Sequence, residues 1–353
     1  MAESLSLQDV LQARRRTNRR AGASVLALCV IVVGLFLASV LFGTYVLDIS
    51  SIVAILTAPE AVSDIDRAII LDLRLPRVLT ACGVGAALSV AGVMMQNVFR
   101  NPLADPSLIG TSAGAAAGAV LAIVLGATMW PDVPPTILVP AISSLTAIGA
   151  VFAVRSVATK RGVTSVSGML LAGIACTALS WAVVGTATTM ATDAQVRTVS
   201  FWTLGSMAGV PLQSALTLCS LAILLVAFGI RHAPALAAVA TGHTAARMAG
   251  VPVQRTITMV IITTGIITGV SVAFVGTITF VGLIVPHLTA RLVGRAPQLH
   301  VPIAGLAGAA TLMAADLLAR MVAAPLELPI GVITALAGIP LFVLILARKR
   351  TQQ

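Results

Sequence analysis

The fold is decided by one stretch of the sequence, which runs from Arg74 to Gly118 and reads RLPRVLTACGVGAALSVAGVMMQNVFRNPLADPSLIGTSAGAAAG. A proline between two arginines opens this stretch, and an apolar run of about helix length follows. A polar turn at 100–106 leads directly into a second apolar run, in which Gly110, Gly114 and Gly118 share one helical face. The stretch therefore predicts two membrane-crossing helices joined by a tight turn, with small residues that permit close helix packing.

The composition of the whole chain indicates a membrane protein. Of its 353 residues, 58% are hydrophobic and only 10% are charged, and the mean hydropathy is +1.04. No soluble globular domain has that balance. The formal net charge of +10 is explained better by basic residues in cytoplasmic loops than by nucleic-acid binding. The four cysteines lie inside apolar runs without a CxxC pair, which favours small apolar residues over a disulfide or metal framework.

Hydropathy predicts an all-α membrane protein with ten spans. The predicted spans are 22–42, 78–99, 108–129, 136–154, 166–190, 213–230, 256–274, 276–294, 302–321 and 329–347. An even number places both termini on one side, and 17 of the 22 basic residues fall on that side. By the positive-inside rule, both termini are cytoplasmic. Residues 1–21 are expected to form a basic cytoplasmic segment, and residues 22–350 a single transmembrane domain in the cytoplasmic membrane.

The connections between spans differ in character. The segment from Gly43 to Leu75 is predicted to be a long polar outer loop, and the segment from Ala191 to Leu212 a second outer loop. The inner segment 231–255 is too short and too often interrupted by glycine and proline to span, so it predicts one or two short surface helices. At Gly276 two spans meet with almost no loop, because glycine permits a sharp reversal.

The sequence lacks the motifs of several kinds of catalytic and nucleotide-binding sites. There is no GxxxxGK[ST] phosphate loop, no HExxH and no paired carboxylates, so neither a catalytic site nor a metal site is expected. Asp316 is the one carboxylate expected within a span, and Arg320 four residues later is positioned to pair with it. A secondary transporter would need an ionisable relay at membrane depth. An ion-gradient-driven transporter is therefore kept as the weaker alternative, and an intramembrane enzyme as the weakest.

Five motifs in order resemble the FecCD/BtuC family, the permease subunits of ABC importers for iron siderophores, haem and vitamin B12. The motifs are RLPR from Arg74, AALSVAGVMMQNVFRNPLADPSLIGTSAGA, GHTAARMAGV, FVGLIVPHLTARLVG from Phe280 and ELPIGVITALAGIPLFVLIL from Glu327. The resemblance implies a type II ABC importer permease with ten helices per subunit, working as a homodimer or a paired heterodimer. It also implies two ATPase subunits, which bind ATP and Mg, and an extracytoplasmic binding protein that delivers the cargo. No cofactor is expected on this chain.

The resemblance also implies roles for particular residues. Arg74, Arg77 and Arg320 match the family's docking arginines, which pair with acidic residues of the binding protein. The alternative is that these arginines only extend from helix ends toward the interface. The coupling element toward the ATPases corresponds to Thr241, Gly242, His243, Arg247 and Gly250. The translocation path and its gate correspond to Val166, Ser167, Arg197, Phe201 and Trp202.

The cargo is the least determined property at this level. Arg197 before the sequence FWTLGS is similar to the haem-permease branch, and an outer arginine suits the propionates of haem. Siderophore permeases share the W-x-x-GS pattern, so haem is favoured only slightly over a ferric siderophore. Cobalamin is the third candidate.

Overall fold

A computed structural model describes residues 7–43, 45, 57, 63–160, 163–324 and 326–350. These residues are almost entirely helical. The α-helices are α1 Leu7–Leu41, α2 Asp64–Ala68, α3 Leu75–Val98, α4 Thr111–Met129, α5 Pro135–Ala158, α6 Val166–Thr189, α7 Asp193–Leu204, α8 Leu212–Arg231, α9 Ala233–Thr241, α10 His243–Met248, α11 Val253–Val275, α12 Val281–Val293, α13 Pro297–Met321 and α14 Ile330–Arg350. A π-helical turn, Ile69–Arg74, joins α2 to α3, and a 3-10 turn, Pro106–Ile109, precedes α4. The strands β1 Thr159–Lys160 and β2 Val163–Thr164 form a small antiparallel hairpin between α5 and α6.

The predicted number of spans agrees with the described helices. Eight helices are long and apolar enough to cross a membrane, and two shorter apolar helices, Val281–Val293 and Ile330–Leu344, make up the rest. Most predicted bounds fall within a few residues of the observed ones because each span is a continuous apolar run. The exceptions are the start of the second span and the start of the eighth.

The prediction of a loop from Gly43 to Leu75 is wrong for its second half. Helix begins at Asp64 and continues without interruption through the π-helical turn into α3. Ser63 caps the start, because its hydroxyl accepts a hydrogen bond from the backbone N–H of Asp66 at 3.1 Å. The acidic side chains in this first turn are also favoured by the helix dipole. The earlier part of the predicted loop lies mostly outside the described residues.

The prediction of a loop from Ala191 to Leu212 is also wrong in part, because α7 occupies twelve of these residues. Thr192 and Gln195 form a capping box at its start. The Gln195 side-chain amide also donates to the backbone carbonyls of Ile123 and Val124, at 3.1 Å each, which ties α7 to the C-terminal half of α4. In contrast, the prediction of one or two short helices within 231–255 is confirmed, because two are present, α9 and α10.

The eighth predicted span is not one continuous helix. Residues 276–280 are non-helical, and α12 has 13 residues, so it is about 20 Å long and shorter than a bilayer core of about 30 Å. Gly276 ends α11 with a φ of +74°, a conformation that favours glycine. The prediction that two spans meet there with almost no loop is wrong, because five non-helical residues separate α11 from α12. The Thr277 hydroxyl donates to the carbonyl of Thr203, which ties this segment to the end of α7. Part of the non-helical backbone is also satisfied by protein, as a membrane interior requires, because the carbonyl of Thr279 accepts from the Val281 N–H at 2.9 Å.

Helix α3 is the most buried of the candidate spans and packs between α8, α12 and α13. Close backbone approach makes this possible. A Cβ placed on Gly92 would overlap the carbonyl oxygen of Gly282 in α12, and one on Gly85 would overlap the carbonyl oxygen of Gly308 in α13. The glycine face of α4 packs against α5 in the same way. The small residues thus serve packing within one chain, which is how helices associate in lipid.

Candidate functional site

The three predicted docking arginines come together at the end of the bundle where α1 ends. Arg77 is central to the group, which we call the arginine cluster and define as Arg74, Arg77, Arg320, Asp316 and Glu327. The Arg77 Nε atom lies 2.8 Å from Asp316 Oδ1, and its Nη1 atom lies 2.8 Å from Glu327 Oε2. The predicted Asp316–Arg320 pair is confirmed, with 3.1 Å between Arg320 Nε and Asp316 Oδ2. This last contact is an ion pair that lacks the alignment of a hydrogen bond.

Arg74 and Arg320 hold the end of α1. Arg74 donates to the carbonyls of Val40 at 2.7 Å and Leu41 at 2.8 Å, and also to that of Tyr45. Arg320 donates to the carbonyl of Ser39 at 3.2 Å. The last four carbonyls of a helix have no partner within the helix, and cations are favoured there by the helix dipole. The two guanidinium groups therefore cap α1 and join it to α3 and α13.

The members of the arginine cluster differ strongly in exposure. The Asp316 side chain is 1% exposed and that of Arg77 is 11% exposed, whereas Glu327 is 43% exposed. A cavity of about 320 Å³ opens beside them, and all of the cluster except Asp316 line it. A partner approaching from this end would thus meet the Arg77–Glu327 pair first. The docking role of the three arginines stays a prediction.

The predicted coupling residues lie on and around α9 and α10 at the opposite end of the bundle. Leu236, Val239 and Ala246 are fully buried and attach the pair of helices to the core, whereas Thr241 and Arg247 are exposed. Positive φ angles at Gly242 and Gly250 permit the turns on either side of α10, where His243 is the first residue. The result is a rigid surface projection at this end.

Two residues that the sequence analysis missed stand out in the structure. Met248, at the end of α10, is 81% exposed, although methionine is normally buried. Asp105 was assigned to the turn between α3 and α4, but its carboxylate reaches into the bundle beside Gly282 and accepts a hydrogen bond from the Ser107 N–H at 2.8 Å. Burial raises the pKa of Asp105 above the ordinary aspartate value, against the opposing effect of the Ser107 hydrogen bond. The burial of Asp105 depends on the inward path of the turn, which the sequence does not show.

The predicted path residues fall at two places. Val166 and Ser167 begin α6 directly after the β1–β2 hairpin, at the end that carries α9 and α10. Arg197 and Phe201 are exposed one helical turn apart on α7. Trp202 instead turns inward and packs against a buried cluster. The structure therefore separates the suggested outer residues from the suggested gate.

A hydroxyl-lined cavity of about 410 Å³ lies between α4, α6 and the start of α12. Its lining includes Asp105, Ser107, Ser112, Thr177, Thr277 and Thr279. Trp181 and Phe280 add aromatic surface to this lining. Phe280 has a φ of +69°, unusual for a residue other than glycine, and its side chain packs against Gly338 of α14. The cavity is thus both polar and aromatic at the point where the helical path is interrupted.

A bundle of apolar spans, with a non-helical segment beside an open cavity that carries hydroxyl and aromatic side chains, is the architecture of a polytopic membrane protein. The chain matches the FecCD transport family over residues 29–348, and it belongs to that family. It is accordingly a permease of the ABC importer class, with the type II fold.

Relatives within the family differ in their named cargo. The chain is 38% identical to the hemin transport system permease protein HmuU of Yersinia pestis over 80% of this chain and 84% of the relative. It is 35% identical to the cobalamin import system permease protein BtuC of Halobacterium salinarum, over 81% and 75% of the two chains. A solved structure of an inward-facing metal-chelate type ABC transporter superposes with a TM-score of 0.79 at 28% identity, covering 93% of this chain and 99% of that one.

Proposed function

We propose that this permease imports an iron chelate, with haem favoured slightly over a ferric siderophore. It pairs with a second permease subunit, in a homodimer or a heterodimer, and couples to two cytoplasmic ATPase subunits. An extracytoplasmic binding protein delivers the cargo. The relative named for hemin and the metal-chelate type structure support this proposal at the level of cargo class. The relatives named for cobalamin or vitamin B12 keep cobalamin as the third candidate.

The observation that carries the haem proposal is the exposed face of α7. Arg197 and Phe201 lie side by side there, at the end where the binding protein would dock. A guanidinium pairs well with a propionate carboxylate, and an aromatic ring offers a flat apolar surface to a porphyrin. Cobalamin lacks free carboxylates at its rim, so the arginine would give it no comparable contact.

The experiment is uptake by proteoliposomes that contain the permease, its ATPase and its binding protein. Haem, a ferric siderophore and cobalamin are offered separately, with ATP present or absent and with ion gradients intact or collapsed. Transport that needs ATP and survives loss of the gradients supports the importer. Transport that follows the gradient and ignores ATP supports the secondary transporter instead.

The cargo is tested by replacing Arg197 with Gln. Haem uptake should fall about five- to tenfold, because the variant loses one charge-assisted hydrogen bond to a propionate. Assembly with the ATPase should stay unchanged. The matched control is Arg67→Gln, which removes an exposed arginine from α2 on the same predicted side. Haem uptake that is equal in the two variants, or cobalamin uptake that exceeds haem uptake in the unaltered protein, would refute the haem assignment.

Docking and coupling follow from the same proposal. Acidic residues of the binding protein would compete for the arginine cluster, and the ATPases would contact the exposed faces of α9 and α10. Because α9 is anchored to the core, movement of an ATPase would be transmitted through it to α3, α8 and α11.

A further inference from the structure

A third cavity lies at the end of the bundle that carries α9 and α10, and none of the functions proposed above uses it. Its volume is about 320 Å³, and it opens between α3, α9, α12 and the start of α13. The polar lining residues are Gln96, Asn97, Arg100, His287, Arg295 and His300. No carboxylate is among the residues that line it in the described chain. The cavity is therefore electropositive.

The charges of this cavity come from both of its edges. Arg100 and Arg295 are exposed, so their guanidinium groups can turn toward a ligand without a large desolvation cost. Arg100 has a φ of +50°, an uncommon conformation that ends α3 sharply and sets the position of its side chain. The 25-residue helix α13 begins at the same edge and has no side-chain cap. Pro297 has no N–H group, and the N–H groups of Leu299 and His300 donate to the carbonyl of Ala296, so the helix start contributes mainly through its dipole, which favours an anion.

His300 gives an independent indication of a ligand. It is 3% exposed, and its Nε2 atom lies 2.9 Å from the carbonyl oxygen of Pro286. Nε2 also lies 3.0 Å from the Thr289 hydroxyl oxygen. The Pro286 carbonyl can only accept, so Nε2 carries the proton and donates to these oxygens, and Nδ1 of the neutral ring is an acceptor. This Nδ1 atom is buried and has no hydrogen-bond partner among the described residues. Such a group favours a ligand that brings a hydroxyl donor.

We propose that this cavity binds a phosphate ester that carries a hydroxyl group, as in a phosphoglycerol headgroup. The phosphate pairs with Arg100 and Arg295 at the start of α13, and the hydroxyl donates to His300 Nδ1. Guanidinium groups bind phosphate through parallel charge-assisted hydrogen bonds, which makes two arginines sufficient to hold it. The bound group would lie between α9 and α12, where it joins the surface helices to the spans. The proposal does not depend on the identity of the cargo.

The test uses the full permease assembled with its ATPase partners and measures retained lipid by native mass spectrometry. The probes are phosphatidylglycerol, phosphatidylmethanol and phosphatidylcholine. Phosphatidylglycerol should bind most tightly, about fivefold better than phosphatidylmethanol, which keeps the charge but lacks the hydroxyl. Equal binding of these two lipids would overturn the role of His300, and equal binding of phosphatidylcholine would overturn the anion site.

The variants test the arginines. Arg100→Gln with Arg295→Gln should weaken phosphatidylglycerol binding at least about tenfold. The control is Arg231→Gln with Arg255→Gln, which removes two exposed arginines of the same end that do not line the cavity. Equal losses in the two double variants would overturn the proposal, because they would show general attraction of charge. Unchanged lipid binding together with lost ATPase assembly would also overturn it, and would assign the arginines to the ATPase.

A soluble arm distinguishes the two sources of phosphate. Glycerol 3-phosphate and inorganic phosphate are added to lipid-depleted protein, and thermal stability is recorded. A rise in stability that needs Arg100 and Arg295 supports a free phosphate ester as ligand. No rise, with arginine-dependent binding of phosphatidylglycerol, supports a lipid headgroup. No arginine-dependent effect in either arm refutes the site.

Discussion

Asp316 offers the sharpest test of the arginine cluster. Its carboxylate is 1% exposed and lies 2.8 Å from Arg77 Nε and 3.1 Å from Arg320 Nε. Asp316→Asn keeps the size of the side chain but removes the negative charge that both cations need. Breaking a buried ion pair from one side costs about 3–5 kcal/mol, because the remaining charge stays buried without compensation. We expect this variant to lose about 3–5 kcal/mol of unfolding free energy.

The matched comparison is Glu327→Gln, which removes the other carboxylate partner of Arg77. The Glu327 side chain is 43% exposed, so solvent already screens much of its interaction. Exposed pairs contribute about 0.2–1 kcal/mol. Both substitutions replace a carboxylate with an amide, and the two sites differ in how deeply that group is buried. We therefore expect Glu327→Gln to cost less than about 1 kcal/mol.

Both variants can be measured by denaturation of the detergent-solubilised permease, with the fluorescence of its three tryptophans as the signal. The slope of unfolding free energy against denaturant should be the same for each protein, so that the midpoints report stability. If Asp316→Asn and Glu327→Gln shift the midpoint equally, the carboxylate of Asp316 does not neutralise buried arginines. The account of Asp316 as the buried charge partner of Arg77 and Arg320 would then fail.

Three further predictions concern packing, coupling and docking. Gly92→Ala should lower the free energy of unfolding by about 1–3 kcal/mol or more, because the added methyl group meets a backbone carbonyl of the facing helix. The control Gly149→Ala, at a position with open space around it, should leave the free energy of unfolding unchanged or raise it. Met248→Ala should reduce the amount of cargo transported per ATP hydrolysed in proteoliposomes without lowering stability. The control Met129→Ala, which alters an exposed methionine at the other end of the bundle, should leave this ratio unchanged. The same ratio of transport to hydrolysis in both variants would contradict a coupling role for Met248. Glu327→Gln should tighten binding-protein docking a few-fold in a surface plasmon resonance assay, because its arginine partner is freed, and weaker docking would contradict competition at this pair.

The long spans could be predicted from the sequence because length and hydropathy alone define them. The helix α7 could not be found in this way, since it has only 12 residues, half of them are polar, and its hydrophobic pattern is weak. Its capping box was nevertheless visible as Thr192 followed by Gln195, and Ser63 gave a similar signal before α2. These capping residues indicate a helix start in each segment, whereas the polar composition of the two segments indicates loops.

The candidate site was predicted in its residues but not in its contacts. Spacing alone predicts the pair of Asp316 and Arg320, which are four residues apart on one helix. The contact of Arg77 with Asp316 joins residues 239 positions apart and depends on how α3 packs against α13. The inward position of Asp105 similarly depends on the path of a turn. Such contacts are set by tertiary packing, which no local pattern encodes.

The structure gives the three arginines unequal freedom to act in docking. Arg74 and Arg320 are committed to the carbonyl groups at the end of α1, and moving either would leave these carbonyls without partners. Arg77 shares its guanidinium between the buried Asp316 and the exposed Glu327, so only the second contact can be exchanged at low cost. A carboxylate from a binding protein would therefore replace Glu327 at Arg77. The other two arginines would contribute positive electrostatic potential and keep α1 in place. Substituting Arg74 or Arg320 consequently changes both stability and docking, and only Arg77 together with Glu327 can separate the two.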